Sequence, residues 1–571
     1  MNQITSAWGG RFVTLGAVVL LLVAVVIPAA LRRSGGGPND GAPVSTASPS
    51  PGSVPGGPAS PRVFRFYQEY PHTLDPARSA DSYSAGVIAQ IYSPLVGLTS
   101  DLEPTPQLAE SWTISKDGRR YVFELRPGVR FHNGREVTAA DFAFSLTRLF
   151  REPFRSEGLA ANYLDPIEGV PEFIAGKADT IAGIRVLGRY RLELTLSRPY
   201  GSLLHSLALD QTSAVPREVL EANGPNGLES HPVGTGPFRF VRRVPERSVT
   251  LAANDDYFMG RAGLDSLVFF APPGDVTEAG AGALLDGRAT LSLLPSNRIE
   301  EFRARPGLTV LRWQDLSLSF IGMNATIPPL NDVRVRRAVA LALDRQTMLN
   351  VRPEGKTLAL GILPPGIPGY TPAEKIPARN VSEARALLAQ AGYGPRKPLP
   401  PITLWKSITS VNLRQTDSVM VRSLAEAGIR LDIRYESWTV LDQVITQRKA
   451  AMFGLAWIAD IPDPESFLRS LAYSTSGTNY FNYSSPKVDA LLDAARGTRD
   501  AGAREARFRE AELEILKDAP FVPLTYTVSF IGMRDDIAGL EMNPLGISTL
   551  AMEKLHFLEP TDGSTKRHAG R

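Results

Sequence analysis

A carboxylate at the end of an apolar strand is the residue in this chain best suited to bind a charged ligand. The run from 451 to 459 is almost wholly apolar and is followed by Asp460, Ile461, Pro462 and a second acid, Asp463. An acid at a strand end, close to Trp457, can present its charge to a cleft without being desolvated on every side. The same pattern also fits an ordinary turn acid and a core tryptophan, so the residue types alone leave both interpretations open. Asp463 is better interpreted as the cap of a helix that begins near Pro464.

The sequence carries no motif for catalysis or for phosphate binding. It has no G-x-S-x-G or H-E-x-x-H pattern, and it has no cysteine for thiol chemistry, disulfides, thiolate metal sites or lipid attachment. The glycine-rich loop from His231 to Phe238 leads into a strand rather than a helix, so we interpret it as a structural turn. The run 355–357, Gly-Lys-Thr, lacks the preceding glycine of a nucleotide-binding loop. We therefore predict a protein that is not an enzyme, with no cofactor and no metal site, and we assign His132 and His231 to structural turns.

The clearest local structure lies between Leu108 and Phe150. Residues 120–126 alternate in the period-two pattern of a strand with one buried face. A tight turn at 116–118, Lys-Asp-Gly, predicts a hairpin with the preceding strand. Thr138, followed three residues later by Asp141, predicts a capping box and a helix. The apolar face predicted for that helix comprises Phe142, Leu146, Leu149 and Phe150.

Similar patterns predict further strands and helices along the chain. Strands are predicted at 63–66, 190–196, 238–244, 248–252, 451–459 and 523–530. Helices are predicted at 332–344, at 382–392 and twice within 486–518, with a break near Gly497. The arginines that follow Asp332 could bind an anionic substrate, but the pattern favours a solvated helix face.

Length and composition describe a globular protein of ordinary balance. The 571 residues, 61.9 kDa in mass, suffice for two or three domains, each with its own core. Hydrophobic residues make up 43% and charged residues 21% of the chain, which excludes a mainly disordered protein. The net charge is only +3 and the basic residues are scattered, so we expect no nucleic-acid partner.

The N-terminus contains a hydrophobic segment and a linker. Residues 12–31 form an apolar run of about 20 residues, long enough to cross a bilayer as a helix. The weak small-residue site near Ala30 favours a membrane anchor over a cleaved signal peptide within residues 1–33. Residues 34–61 are rich in glycine, proline and serine, which predicts a disordered linker. We expect an extracytoplasmic protein, in the periplasm or on the outer face of the cell membrane, with a flexible tail at 561–571.

Five ordered blocks of the sequence resemble the signature of one family. The longest block runs from Trp112 to Arg148 in the pattern W-x-x-S-x-D-G-x-x-Y-x-F-x-L-R-x-G-V-x-F-H-N-G-x-x-x-T-A-x-D-x-x-x-S-L-x-R. The others are T-L-D-P at 73–76, P-V-G-T-G-P-F at 232–238 with the N-x-x-Y-x-x-G run from 254, the segment 320–338, and W-x-A-D-x-x-D-P at 457–464. Together they resemble the family 5 extracellular solute-binding proteins, the peptide- and nickel-binding receptors of ABC importers, over about residues 62 to 555.

This resemblance implies an α/β fold of the periplasmic-binding-protein type. In that fold a hinge joins two lobes, the first lobe carries an extra subdomain, and the lobes close on a ligand between them. By analogy, lobe I would comprise 62–97, 207–322 and 527–560, the subdomain 98–206, and lobe II 323–526.

The resemblance also implies a set of ligand-binding residues. In peptide receptors of this family the first acid of the W-x-A-D element pairs with the α-amino group of the peptide, and Asp460 matches that acid. Trp457 would line a side-chain pocket. The backbone from Gly454 to Asp460, including Ala459, would pair with the peptide as an added strand. Ser82, Tyr83, Asn479 and Tyr480 match loops that contact ligand in the family.

The expected function is that of the substrate-binding component of an ABC transporter. It would capture oligopeptides and deliver them to the transmembrane subunits of a permease. We expect a monomer whose partners are the peptide, the permease and, through the N-terminal helix, the membrane. The alternatives are a receptor for a nickel complex or an oligosaccharide, and an anchored scaffold or sensor that keeps the fold without import. A secreted hydrolase is opposed by the missing catalytic motifs.

Overall fold

The structure, a computed structural model, describes residues 61–351, 353–407, 411–546 and 549–559. The predicted hydrophobic helix at 12–31, nearly all of the predicted linker and the C-terminal tail lie outside these ranges. No helix in the described ranges combines the length and the apolar character that crossing a membrane requires. Strands and helices are mixed along the described chain, as the predicted α/β class requires.

The described residues contain twenty strands. They are β1 (Val63–Tyr67), β2 (Val96–Leu98), β3 (Pro104–Pro106), β4 (Ala109–Ile114), β5 (Arg120–Leu125), β6 (Ile184–Gly188), β7 (Arg191–Thr195), β8 (Phe238–Val244), β9 (Ser248–Ala253), β10 (Ser266–Phe270), β11 (Leu291–Leu293), β12 (Leu308–Gln314), β13 (Ser317–Met323), β14 (Lys356–Leu358), β15 (Ile402–Ser407), β16 (Leu431–Glu436), β17 (Met452–Ile458), β18 (Phe521–Arg534), β19 (Ile537–Ala538) and β20 (His556–Phe557).

Eighteen α-helices accompany these strands over the same ranges of the chain. They are α1 (Ser82–Ile91), α2 (Ala139–Arg148), α3 (Phe154–Glu157), α4 (Ala160–Leu164), α5 (Val170–Ile174), α6 (Leu203–Ser206), α7 (Arg217–Asn223), α8 (Gly227–Ser230), α9 (Val276–Leu285), α10 (Ile299–Arg303), α11 (Val333–Ala342), α12 (Arg345–Val351), α13 (Val381–Gln390), α14 (Val411–Glu426), α15 (Trp438–Thr446), α16 (Glu465–Ala472), α17 (Pro486–Arg496) and α18 (Ala501–Asp518).

The long strand β18 joins the two halves of a twelve-stranded sheet. The strand order is β16-β15-β17-β13-β18-β11-β1-β10-β9-β8, and β12 and β14 also pair with β18. The first half of β18 pairs with β13 and β14, and the second half pairs with β11 and β12. The predicted lobe boundary between 526 and 527 therefore falls inside a continuous strand.

A separate four-stranded sheet, in the order β4-β5-β7-β6, contains the predicted hairpin. Trp112 lies opposite Phe123, and the turn glycine Gly118 has a φ of 71°, which a residue without a Cβ adopts readily. The predicted capping box of Thr138 and Asp141 is present at the start of α2. The four predicted face residues of α2 and its continuation are all buried.

The prediction of one buried face on β5 is wrong at Val122, which is buried as well. The strand lies between β4 and β7, where Thr113 and Glu193 flank Val122 in register. The alternating sequence pattern could not predict the burial of Val122, because this burial depends on a neighbouring strand that is distant in sequence.

The prediction of a solvated arginine face on α11 is wrong at Arg336. Asp332 caps the helix as predicted, and Arg334 and Arg337 are exposed. Arg336, however, is buried and donates to the carbonyl oxygens of Asp518 at 3.0 Å and Leu330 at 2.9 Å. The last carbonyls of a helix lack partners within it, and Arg336 satisfies such a group at the end of α18.

The glycine-rich loop has the structural role that its sequence predicted. A Cβ atom on Gly234 would lie 2.1 Å from the Ile91 carbonyl oxygen, so only glycine fits there. His132 braces the loop through Nε2, which lies 3.0 Å from the Gly236 carbonyl oxygen. Burial lowers the pKa of His132 to about 4, so the ring is neutral at pH 7 and Nε2–H donates.

Candidate ligand-binding site

Strand β17 has one edge that is open to an additional strand. On one side it pairs along its whole length with β13, from Met452 opposite Met323 to Ile458 opposite Ser317. On its other side β15 pairs only with Met452 and Phe453. Within the described ranges, no strand pairs with this second side from Gly454 to Ile458. Unpaired N–H and C=O groups along such an edge can pair with an extended ligand.

Asp460 lies two residues beyond the end of β17. Its backbone N–H donates to Ser466 Oγ at 2.8 Å, and its Oδ2 accepts a hydrogen bond from the Tyr163 hydroxyl at 2.5 Å. Burial raises the pKa of Asp460 to about 6, and the Tyr163 hydrogen bond partly opposes that shift. No lysine, arginine or histidine forms an ion pair with Asp460 in the part of the chain that the structure describes. A half-buried carboxylate without a counter-ion is suited to a cationic ligand group.

Hydrogen bonds also hold Trp457 and Ala459, the strand residues predicted to contact ligand. The Trp457 indole is half-buried and donates through Nε1 to the Ser466 carbonyl oxygen at 2.6 Å. Ser466 therefore holds both Trp457 and Asp460. Ala459 is buried and its N–H donates to the Leu316 carbonyl oxygen at 2.8 Å, so this N–H is not free to bind a ligand.

The loop between α16 and α17 contains the predicted pair Asn479 and Tyr480. The Asn479 side chain is buried, donates to the carbonyl oxygens of Tyr473 and Tyr483, and accepts from the Tyr483 N–H. Its polar atoms thus brace the loop, and its role in ligand binding stays a prediction without geometric support. Tyr480 is half-buried. Burial raises the pKa of Tyr480, and the charges of Asp442 and Asp460 act in the same direction.

Ser82 and Tyr83 lie in the first turn of α1. The Asp81 carboxylate caps this turn by accepting from the N–H groups of Tyr83 and Ser84. Burial raises the pKa of Tyr83, and the charges of Glu69 and Asp81 add to the shift. No hydrogen bond or ion pair joins Ser82 or Tyr83 to Asp460 within the described residues, so their ligand role stays a prediction.

Tyr163, which sequence reasoning missed, completes the surroundings of Asp460. It lies in α4, is buried, and its hydroxyl lies 3.4 Å from the Oγ atoms of both Ser466 and Ser470. Tyr163 and Asp460 are 297 residues apart, and nothing in the local sequence Ala-Ala-Asn-Tyr-Leu marks the tyrosine as functional. Only the tertiary structure identifies it.

A cavity of about 230 Å³ lies beside Tyr163, between α4 and α16. It is lined by Phe150, Arg155, Ala161, Asn162, Tyr163, Asp165, Ile174, Glu465, Arg469, Ser470, Tyr473, Thr475 and Ser476. No group of three or more His, Cys, Asp or Glu side chains is arranged to hold a metal ion in the described ranges.

An open strand edge that ends at a carboxylate without a cationic partner among the described residues can bind an extended ligand with a positively charged end. The chain belongs to the bacterial extracellular solute-binding proteins, family 5. The sequence model for the middle part of these proteins matches residues 103–479. The family description agrees with an extracytoplasmic location.

Relatives of the chain are named for several ligands. It is 30% identical over 77% of its length to the probable di/tripeptide-binding protein 5 of Pseudomonas aeruginosa, 85% of which is covered. It is 28% identical over 81% of its length to heme-binding protein A of Haemophilus influenzae, 86% of which is covered. The solved structure of the periplasmic binding protein DppA from Helicobacter pylori, in complex with the peptide STSA, matches with a TM-score of 0.76. That match has 27% identity and covers 88% of this chain and 98% of the other.

Proposed function

We propose that this protein is the extracytoplasmic receptor of an ABC transporter that captures short peptides and delivers them to the permease. The observation that carries the proposal is the open edge of β17 ending at Asp460. An edge of backbone groups binds any extended peptide, because it reads the peptide main chain and not its side chains. The relatives named for di- and tripeptides support the choice of ligand.

In this proposal the peptide extends along residues 454–458 with its N-terminus at Asp460. The α-ammonium group donates to the Asp460 carboxylate, which has no cationic partner among the residues that the structure describes. The Tyr163 hydroxyl holds that carboxylate and Ser466 Oγ holds the backbone N–H of Asp460, so little reorganisation accompanies binding. Trp457 lies on the strand that the peptide would pair with and contributes apolar surface.

The predicted lobes and the membrane anchor belong to the same proposal. Closure of lobe II (323–526) on lobe I would bury the peptide and create the surface that the permease subunits recognise. Residues 12–31 would hold the receptor at the membrane, and the linker at 34–61 would separate the folded part from the bilayer.

The test is a calorimetric titration of the detergent-solubilised full chain with a pool of di- to pentapeptides. The same pool is then titrated after N-acetylation, which removes the ammonium group and leaves the backbone intact. We expect binding of the free pool and loss of binding after acetylation. Equal binding of the two pools would contradict the role of Asp460, and binding of neither would contradict peptide capture.

A further inference from the structure

The last residue of α17, Arg496, is a fully buried cation. Its side chain is 0% exposed, and it occupies the region between segment 98–206 and the residues that follow Asp460. Burying an arginine is costly unless its charge and its N–H groups find partners. The residues that Arg496 contacts lie close in the sequence to Tyr163 and Ser466, which both form hydrogen bonds with Asp460.

On one side Arg496 contacts α4 and the residue that follows it. Nη1 lies 2.9 Å from Asp165 Oδ1, and Nη2 donates to the Asn162 carbonyl oxygen at 3.5 Å. These two contacts flank Tyr163 in the sequence. The Tyr200 ring, 4.5 Å from the guanidinium carbon, closes the same side.

On the other side Arg496 contacts the start of α16. Its Nε lies 3.1 Å from Glu465 Oε2, and the Glu465 side chain is 2% exposed. The next residue, Ser466, accepts the Asp460 N–H through Oγ and the Trp457 indole N–H through its carbonyl oxygen. One cation therefore touches the chain beside Tyr163 and beside Ser466, and both of these residues bond to Asp460.

The charge of Arg496 is firmly retained. Burial opposes that charge, but the carboxylates of Glu465 and Asp165 outweigh it and raise the pKa of Arg496. A second arginine, Arg504, is half-buried, ion-pairs with Asp463 at 2.8 Å and donates to Ser202 Oγ at 3.1 Å. Arg504 also lies 3.6 Å from Glu465 Oε1 but does not touch α4, which makes it a control for the contacts of Arg496 beside Tyr163.

We propose that Arg496 is a positioning residue that holds the Tyr163 hydroxyl against Asp460 and thereby sets the affinity of the site for the ligand's ammonium group. The inference rests on the proposed function and deepens it. Arg496 contacts Asn162, just before Tyr163, and Asp165, two residues after it. A change at Arg496 therefore displaces the Tyr163 hydroxyl, which stabilises the ionised carboxylate of Asp460. The side chains bonded to Asp460 are Tyr163 from α4 and Ser466 from α16, and the charge of Asp460 also raises the pKa of Tyr480 in the following loop.

The test compares Arg496→Lys with the matched control Arg504→Lys in the full chain. Lysine keeps the charge but cannot contact Asp165, Asn162 and Glu465 together. We expect Arg496→Lys to weaken binding of the best peptide from the pool by up to about fivefold, the loss expected on removal of the Tyr163 hydroxyl, and to move the pH midpoint of binding upward. Arg504→Lys should leave that midpoint unchanged, although both variants lose thermal stability.

A second variant and a coupling measurement guard against misfolding of Arg496→Lys. Asp165→Asn removes only the carboxylate that follows α4 and leaves Glu465 to neutralise Arg496, so its midpoint should also move upward. Tyr163→Phe should weaken binding in the wild-type background and have no further effect in the Arg496→Lys background. Unchanged midpoints in both Arg496→Lys and Asp165→Asn, or an undiminished effect of Tyr163→Phe, would overturn the inference.

Failure of the inference can be told from failure of the proposed function. The titration of Asp460 in the ligand-free protein, assigned by the loss of its signal in Asp460→Asn, is followed by ¹³C NMR of labelled aspartates. An upward shift of that titration in Arg496→Lys supports the role of Arg496 even if no peptide binds. Peptide binding with an unshifted titration would overturn the role of Arg496 and leave the proposed function intact.

Discussion

Two aspartates three residues apart, Asp460 and Asp463, have opposite surroundings. Asp463 is buried, pairs with Arg504 and accepts from Ser202 Oγ at 2.6 Å. Asp460 accepts from Tyr163 and has no cationic partner among the described residues. Burial would raise the pKa of Asp463, but Arg504 outweighs it and holds the pKa below its usual value, whereas the pKa of Asp460 is raised to about 6. Asp460 is thus available to a positively charged ligand group, whereas Asp463 is already paired with Arg504.

The largest expected effect is on stability, at Asp463. Asp463→Asn leaves Arg504 buried without its main counter-ion, which should lower the free energy of unfolding by about 3–5 kcal/mol. Denaturant unfolding measures the loss. Peptide affinity of the folded variant should stay within about twofold of wild type, and a large loss of affinity with intact stability would reverse the roles assigned to the two acids.

The next effect is on affinity, at Asp460. Asp460→Asn keeps the shape of the side chain but removes the charge, and a hydrogen bond to a charged group contributes about 1.5–3 kcal/mol. We therefore expect peptide binding to weaken about tenfold to a hundredfold in calorimetry. Unfolding should be no easier than in wild type, because the variant removes a half-buried charge that has no counter-ion. Unchanged affinity would show that Asp460 does not bind the ligand.

The stability that each of the two acids contributes should change with pH in opposite directions. Asp460, with its raised pKa, contributes stability that is complete below pH 4 and is lost as the pH rises through about 6. Asp463, with its lowered pKa, contributes stability that is present above its unfolded pKa near 3.8 and is lost as the pH falls below it. Peptide affinity should fall below about pH 6 as Asp460 is protonated. Affinity that is flat from pH 7 to 5 would contradict an ionic contact at Asp460.

The smallest effects are expected at the hydroxyl groups that serve each acid. Tyr163→Phe removes one hydrogen bond to Asp460 and should weaken peptide binding about fivefold. Ser202→Ala removes one hydrogen bond to Asp463 and should lower the free energy of unfolding by about 1 kcal/mol without changing affinity. Calorimetry and denaturant unfolding are applied to both variants. If both lose the same affinity and the same free energy of unfolding, the two acids do not have the different roles assigned to them.

Local features of the fold were predictable from the sequence. The turn at Gly118 and the capping box of Thr138 and Asp141 depend on residues a few positions apart, so the sequence pattern contains all that determines them. The motif blocks then identified the family, and the family supplied the fold. Burial of Val122 and of Arg336 was not predictable, because each depends on a partner brought in by tertiary structure.

The candidate site was predictable only in part. Asp460 and Trp457 stand out at the end of an apolar strand, and the family pattern distinguishes Asp460 from Asp463. Tyr163 and Arg496 could not be found in this way, because their contacts join segments about 300 residues apart. The contacts of Asn479 were not predictable either, because its side chain bonds backbone groups of its own loop, and its ligand role stays a prediction.

The most direct test of the account measures four affinities for one peptide from the pool. The free and the N-acetylated peptide are each titrated into wild type and into Asp460→Asn. If the α-ammonium group binds Asp460, acetylation weakens binding to wild type about tenfold or more but has little further effect on the variant, because either change removes the same contact. Losses that add up in the doubly changed pair would contradict the account, since the ammonium group and Asp460 would then act independently.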